Sequence, residues 1–530
     1  MLRRRIFCLA FLLVSFCLNG CSQNPKVSFA VRHVPLKNFF GINAFEWDFE
    51  DPANAFALDS TRLSVIKSFT GFRHYMDWEK IEPTEGHYSF CPVHSGGWNY
   101  DTIYSWCKSQ GIEVLACLKG CPSWLQVSYP VDERDAENVP VRYKRDVSDP
   151  ESYVEQAKAG FQYAARYGNN KNVDPNLVHV DTLPRWTADP ANKVEIGLGL
   201  INYIECDNER DKWWKGEKAH QTGREYAANL SAFYDGNKNK MGPGVGVKNA
   251  DPSMKVVMSG LAKASPDYVK EMIEWCKEFR GLKRDGSVDM PWDIINYHYY
   301  CNDGDEAGDH QTAGIAPEIS KAEAIANSFI RMSHEYAKDM PVWITEAGYD
   351  INQESIQKAI PVNNKSALET EADWILRSSL LYSRCGIQKV FYYELNDDND
   401  KSGSRFATSG FVNHNKTQRP AADFLRQTNR LFGDYAFVTT INNDPVVDKY
   451  SFNGLPMFVL VVPDQKDKTA RYKLDLGSAD TAFIYMPRPG SDHMGLTKKK
   501  TTQGKIDITV TETPLFVTAY DRDSIIYKHK

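Results

Sequence analysis

From residue 38 onward the chain alternates short apolar, β-branched runs with stretches whose apolar residues recur every three or four positions. The first pattern is that of a strand buried on both faces, the second that of an amphipathic helix. Strands are expected at Asn38–Asn43, Gly71–Met76, Ile112–Leu118, Leu198–Cys206, Met254–Leu261, Trp292–Tyr300, Pro341–Glu346 and Lys389–Leu395. Helices are expected after each of them, at Asp59–Phe69, Tyr100–Gln110, Glu151–Tyr167, Lys218–Tyr234, Pro266–Phe279, Glu318–Ala337, Leu368–Cys385 and Ala421–Leu431. Tyr153, Ala157, Phe161 and Ala164 show the helical interval, and Val256-Val257-Met258 the continuous apolarity of a covered strand. Eight such repeats predict an α/β protein built as a (β/α)8 TIM barrel. An open doubly wound sheet is the competitor, but no Gly-x-Gly-x-x-Gly follows the first strand.

After Gly433 the helical interval stops. Runs 459–462, 472–476, 482–485 and 506–510 alternate or are wholly apolar, with Gly, Pro, Asn and Asp between them. They predict a C-terminal antiparallel β-sandwich. The expected division is a barrel over 36–432 and a sandwich over 433–530.

Hydrophobic residues make up 42% and charged residues 25% of the chain, which places it with ordinary globular proteins. The net charge is −6, and beyond the N-terminal arginines the one basic run is Lys498-Lys499-Lys500, read as a solvated loop. A nucleic-acid partner, which needs a basic face, is therefore not expected. Arg3-Arg4-Arg5 precede an apolar stretch from Ile6 to Leu18, too short to span a bilayer. Leu18-Asn19-Gly20-Cys21 then resembles a bacterial lipoprotein signal. That implies removal of residues 1–20, lipidation of Cys21, and a chain anchored to a bacterial membrane, facing the periplasm or the surface. Eight cysteines remain beyond Cys21, irregularly spaced, and read mostly as small core residues.

Reactive residues of such a barrel sit where strands end. Strand two ends in Arg73-His74, strand four in Cys206-Asp207-Asn208-Glu209-Arg210, and strand six in His298-Tyr299-Tyr300. Strand seven ends in Ile344-Thr345-Glu346 and strand eight in Tyr392-Tyr393-Glu394. Glu209 and Glu346 would thus face each other across the barrel mouth, the pair that glycoside cleavage needs. One carboxyl protonates the departing oxygen while the other, kept ionised, attacks the anomeric carbon. Arg73 is placed to keep Glu346 ionised, and His298 and Tyr300, two apart on a strand, share a face. Asn208 is placed to donate to a sugar hydroxyl. Glu205 and Glu394 are the rival carboxylates on strands four and eight, expected to support or bind rather than react. Trp124 and Trp213 are the loop aromatics chosen as sugar-stacking candidates, with His74 and Tyr393 completing the binding set. Asp398-Asn399-Asp400-Lys401-Ser402-Gly403 resembles part of a calcium loop but lacks the distal Glu, and is read as a polar turn. No His-Glu-x-x-His occurs, so neither a metal nor another cofactor is expected.

These residues resemble clan A of the glycoside hydrolases, above all the cellulase-like fifth family and the xylosidase/iduronidase-like thirty-ninth family. The matches are Asn208-Glu209, Ile344-Thr345-Glu346, His298 with Tyr300, Arg73, Pro122-Ser123-Trp124-Leu125, Glu79 to Tyr88, and Glu512 to Val517. The resemblance implies a retaining hydrolase with Glu209 as acid/base and Glu346 as nucleophile, acting on an oligo- or polysaccharide. It departs from the clan where Asp207 and Arg210 replace the usual Trp and Pro, and where strand eight lacks a terminal Trp. A glycan-binding lipoprotein without activity, and a metal-dependent barrel hydrolase, are the alternatives.

Overall fold

Eight parallel strands carry the fold: β1 (Gly41–Asn43), β2 (Gly71–Asp77), β3 (Glu113–Lys119), β4 (Tyr203–Cys206), β5 (Lys255–Met258), β6 (Ile295–His298), β7 (Val342–Glu346) and β8 (Lys389–Tyr392). They pair in the order β5-β4-β3-β2-β1-β8-β7-β6. Parallel bridges Val257–Ile294 and Leu261–Tyr297 close the seam between β5 and β6. Each strand is followed by a helix: α1 (Ser60–Ile66), α2 (Tyr100–Ser109), α3 (Val154–Tyr167), α4 (Gly223–Asn239), α5 (Pro266–Phe279), α6 (Ala322–Tyr336), α7 (Ala367–Cys385) and α8 (Pro420–Phe432). This computed structural model describes residues 33–522, apart from 52, 95–96, 185, 187–188, 305–309 and 414–415. The expected signal segment and Cys21 lie outside the described residues. Among the described residues no helix is long and apolar enough to cross a membrane.

Local chemistry sets the helix ends. Asp59 accepts from the amides of Thr61 and Arg62 to start α1, and Ser366 and Glu369 form a reciprocal cap on α7. The stretch before β4 departs from expectation: only Tyr203–Cys206 joins the sheet. The amides of Gly197, Leu198, Leu200 and Ile201 instead donate to the carbonyls of Ala165, Arg166 and Tyr167. Those carbonyls end α3 and would otherwise lack partners. A short hairpin, Glu50–Asp51 with Asn54–Leu58, is inserted between β1 and α1 and was not anticipated.

The barrel interior is layered. At the bottom, Leu115, Val257, Ile294, Trp343 and Phe391 form a buried cluster. Phe391 fits because Gly41 faces it: a Cβ there would lie 2.6 Å from the Phe391 ring. One step toward the strands' C-terminal ends the interior turns polar, with Asn43, Arg73, Glu205, Asn296 and Thr345 all buried.

The C-terminal domain is antiparallel, as expected. Its larger sheet is ordered β9 (Ala436–Asn443), β10 (Val446–Phe452), β11 (Leu455–Val461), β16 (Leu515–Thr518), β13 (Thr481–Met486), β14 (Gly495–Lys500). β12 (Ala470–Asp475) pairs with β15 (Lys505–Val510) as the second sheet. Alternation along β11 serves two cores. Phe458 and Leu460 join the sandwich core with Ile508 and Val517, while Met457 and Val459 join the barrel's. Phe432 of α8 stacks on Phe516 at 5.1 Å across that junction. The lysine run is not a loop: Lys498–Lys500 end β14, the edge strand, where exposed charges discourage pairing with another chain. The eight cysteines from Cys91 to Cys385 are free thiols, six of them buried.

Candidate active site

Arg73 is the hub at the C-terminal end of the barrel. All five of its N–H groups are used. Nε donates to Glu205 Oε2 at 2.6 Å and Nη2 to Glu205 Oε1 at 3.1 Å, a bidentate pair. Nη2 also donates to Asn208 Oδ1 at 2.9 Å, and Nη1 to Asn43 Oδ1 at 2.8 Å and Glu346 Oε1 at 2.9 Å. Glu205 further accepts from the Gly260 amide and Asn296 Nδ2. This rival carboxylate is thus saturated with donors and fully buried, a positioning group for Arg73.

Glu346 ends β7 beside a register shift. Tyr297 pairs with Ile344 but His298 with Glu346, which leaves Thr345 as an extra residue. Such a bulge re-aims side chains. Thr345 points inward to Asn296 and His298, and its neighbour Glu346 reaches the mouth as well. Glu346 Oε1 accepts from Arg73 and from the Tyr75 hydroxyl, and Oε2 from the Tyr300 hydroxyl at 3.1 Å. Burial opposes its charge, yet His298 and Arg73 outweigh burial and hold the carboxyl below its ordinary range. His298 responds in the opposite sense: burial works against protonation, but Glu346 and Glu209 raise its pKa.

Glu209 sits just past β4 in a turn that only a tightly held backbone keeps. Asp207 and Glu209 have φ of 67° and 50°, in the left-handed region. Asp207 and Arg210 have a structural role here. The buried carboxylate of Asp207 pairs with Arg210 at 3.0 Å, and Gln156 donates to its other oxygen. Glu209 Oε1 meets His298 Nδ1 at 2.8 Å, and that nitrogen is also 3.5 Å from Glu346 Oε2. One oxygen of Glu209 lies within 4.8 Å of one of Glu346. His298 reaches this place only because residue 260 is glycine: a Cβ there would stand 2.0 Å from Nε2. Gly260→Ala is therefore expected to displace the imidazole, lower kcat/KM about a hundredfold, and cost ~1–3 kcal/mol of stability. Steady-state kinetics and chemical denaturation check this; wild-type values would refute it.

The other residues singled out from sequence divide clearly. Asn208 is at the site, bonded to Arg73. Tyr393 lines the same end, its ring 6.3 Å from that of Tyr75. His74 is a correction: it is buried outside the barrel, bonded through Nε2 to Tyr104 at 2.8 Å and stacked on Phe72. The reason is alternation, since a residue next to the inward Arg73 must face outward. Trp124 donates to the Glu82 carbonyl and packs edge-on against Trp78, while Trp213 is 59% exposed beside Trp214. Burial and Asp398 push Glu394 up to about 10, so this rival carries its proton at neutral pH. Tyr75 was missed, although it follows Arg73 by two on the same strand. Glu209, His298 and Glu346 also bring three ligand-type atoms within 4.8 Å. The set does not fit a resident cation, because Glu346 already accepts from three donors and a guanidinium stands against it.

No family model matches the chain, and no curated protein matches it. Solved structures do. A family 39 glycoside hydrolase from the gut symbiont Bacteroides cellulosilyticus WH2 superposes with a TM-score of 0.61 at 16% identity, over 92% of this chain and 81% of that one. A family 39 enzyme from Xanthomonas axonopodis pv. citri gives 0.53 at 14%, over 92% and 95%. A family 30 endoxylanase from Clostridium papyrosolvens C71 gives 0.52 at 12%, over 92% and 97%. At these identities the likeness is one of fold.

Proposed function

We propose that the protein is a retaining glycoside hydrolase that cleaves β-glycosidic bonds of an oligo- or polysaccharide. The observation that carries this reading is that one carboxylate oxygen of Glu209 lies within 4.8 Å of one of Glu346 at the barrel's C-terminal end, with His298 Nδ1 reaching both. Carboxyls about 5–5.5 Å apart serve double displacement, whereas roughly 6.5–9.5 Å is needed to seat an attacking water. The three solved neighbours, all carrying glycoside hydrolase family names, lend support at the level of fold.

In the first step Glu346 attacks the anomeric carbon and the bond to the leaving oxygen breaks. Glu209 gives its proton to that oxygen. In the second step Glu209 takes a proton from water, the hydroxide attacks the same carbon, and Glu346 is released. Arg73, Tyr75 and Tyr300 hold the attacking carboxylate ionised and oriented. His298 touches both acids and transmits the charge of one to the other. Trp213, exposed and four residues past Glu209, is the candidate ring for the leaving sugar. The segment before Cys21 supports a lipid anchor at a bacterial membrane.

The test is the anomer released first. Proton NMR during early turnover of a cleaved β-glycoside should show the β-anomer, with the α-anomer appearing only by mutarotation. Immediate α-product would overturn the double-displacement reading.

A further inference from the structure

We infer that the glycone side of the site continues as a stacking track over Phe45 and Trp47, so that the enzyme binds a chain of sugars and not a single terminal one. This rests on the glycosidase reading and names the substrate form for it. Aromatic rings join Tyr300 to Tyr75 around the nucleophile, to which both hydroxyls donate, and from Tyr75 the series leads outward to Phe45 and Trp47. Tyr300, bonded to Glu346, lies 4.8 Å from Phe406, which lies 6.1 Å from Tyr393. Tyr393 is 6.3 Å from Tyr75, and Tyr75 is 6.1 Å from Phe45. Phe45 stacks on Trp47 at 4.4 Å with their planes 11° apart.

The side is fixed by chemistry. The leaving oxygen must face Glu209, which follows β4. The track approaches Glu346 from the ends of β1, β2 and β8, across the mouth, and so receives the glycone. Trp47 is 44% exposed, yet it is held firmly: its carbonyl accepts from Arg62, and Trp98 packs against it at 5.9 Å. The Phe45 amide donates to Asp48 at 2.8 Å, which fixes the turn that presents both rings. With Phe45 stacked on it and Lys80 Nζ 5.9 Å from its centroid, the exposed Trp47 ring is a preformed platform that binds with little ordering cost.

The test reads binding without turnover. In the Glu346→Gln background, isothermal titration follows β-1,4-linked xylo-, gluco- and manno-oligosaccharides from disaccharide to hexasaccharide. One series is expected to gain about tenfold in affinity between di- and tetrasaccharide, a gain of ~1.4 kcal/mol from an added aromatic contact. Trp47→Ala should remove most of that gain and Trp47→Phe should restore it, which separates lost stacking from lost folding. Affinity that does not rise with chain length, or a gain that survives Trp47→Ala, overturns the track. Wild-type protein that binds longer chains but hydrolyses none would overturn the enzymatic reading and leave the track standing.

Discussion

Glu346→Gln is expected to lower kcat by ~10⁴–10⁶-fold, with the fold unchanged by circular dichroism. The loss is large because no other group can form the covalent intermediate. Glu205 is sealed behind Arg73, and Glu394 is protonated. The fold should survive because a glutamine oxygen can still accept from Arg73, and Arg73 keeps its bidentate partner. Glu209→Gln gives the useful contrast. General-acid help is worth about 10²–10⁴-fold, and less when the leaving group is already acidic. The Glu209 variant should therefore recover much of its rate on a dinitrophenyl glycoside, whereas the Glu346 variant should not. Equal losses on both substrates would remove the assigned division of labour.

The barrel was legible because its evidence is repetitive: eight apolar runs followed by eight amphipathic stretches leave few alternatives, and α5 matches its expected limits residue for residue. The positions of the two acids were legible because Glu346 ends β7 and Glu209 follows the end of β4 by three residues, each in a recognisable setting. What sequence hid was orientation. Alternation groups His298 with Tyr300, and on β2 it selects Tyr75 with Arg73 and rejects His74. The same rule would have misled on β7, since Thr345 and Glu346 are adjacent and yet both serve the interior. Only the bulge opposite His298, a matter of pairing between strands, allows that. The left-handed turn at Asp207 and Glu209 is likewise a tertiary choice, maintained by an ion pair and by Gln156 from α3. The sandwich was half legible. Strands β9, β10 and β14 are polar on one face or throughout, so apolar runs could not announce them.

Arg73→Met tests the polar layer as a whole. Removing one partner of a buried charge network is expected to cost ~3–5 kcal/mol, because Glu205 and Glu346 are left desolvated beside an apolar side chain. Urea denaturation should show a lower midpoint at unchanged slope. The pH dependence carries the sharper information. In the wild type, Glu346 is held below its ordinary value of 4.5, so its pairing adds stability that is present above that pH. The contribution is lost as the pH falls through the depressed folded value. The gap between variant and wild type should therefore be widest near neutrality and narrow below about pH 4.5. The acid limb of kcat/KM should move to higher pH in the variant, since the attacking carboxylate has lost its guanidinium. Arg73→Lys should restore little of either property. An ammonium has three donors at one point and cannot replace a planar fork that reaches Asn43, Glu205, Asn208 and Glu346 together. A variant as stable as wild type, with an unmoved acid limb, would show that Arg73 fills space and does not set the charge of the nucleophile.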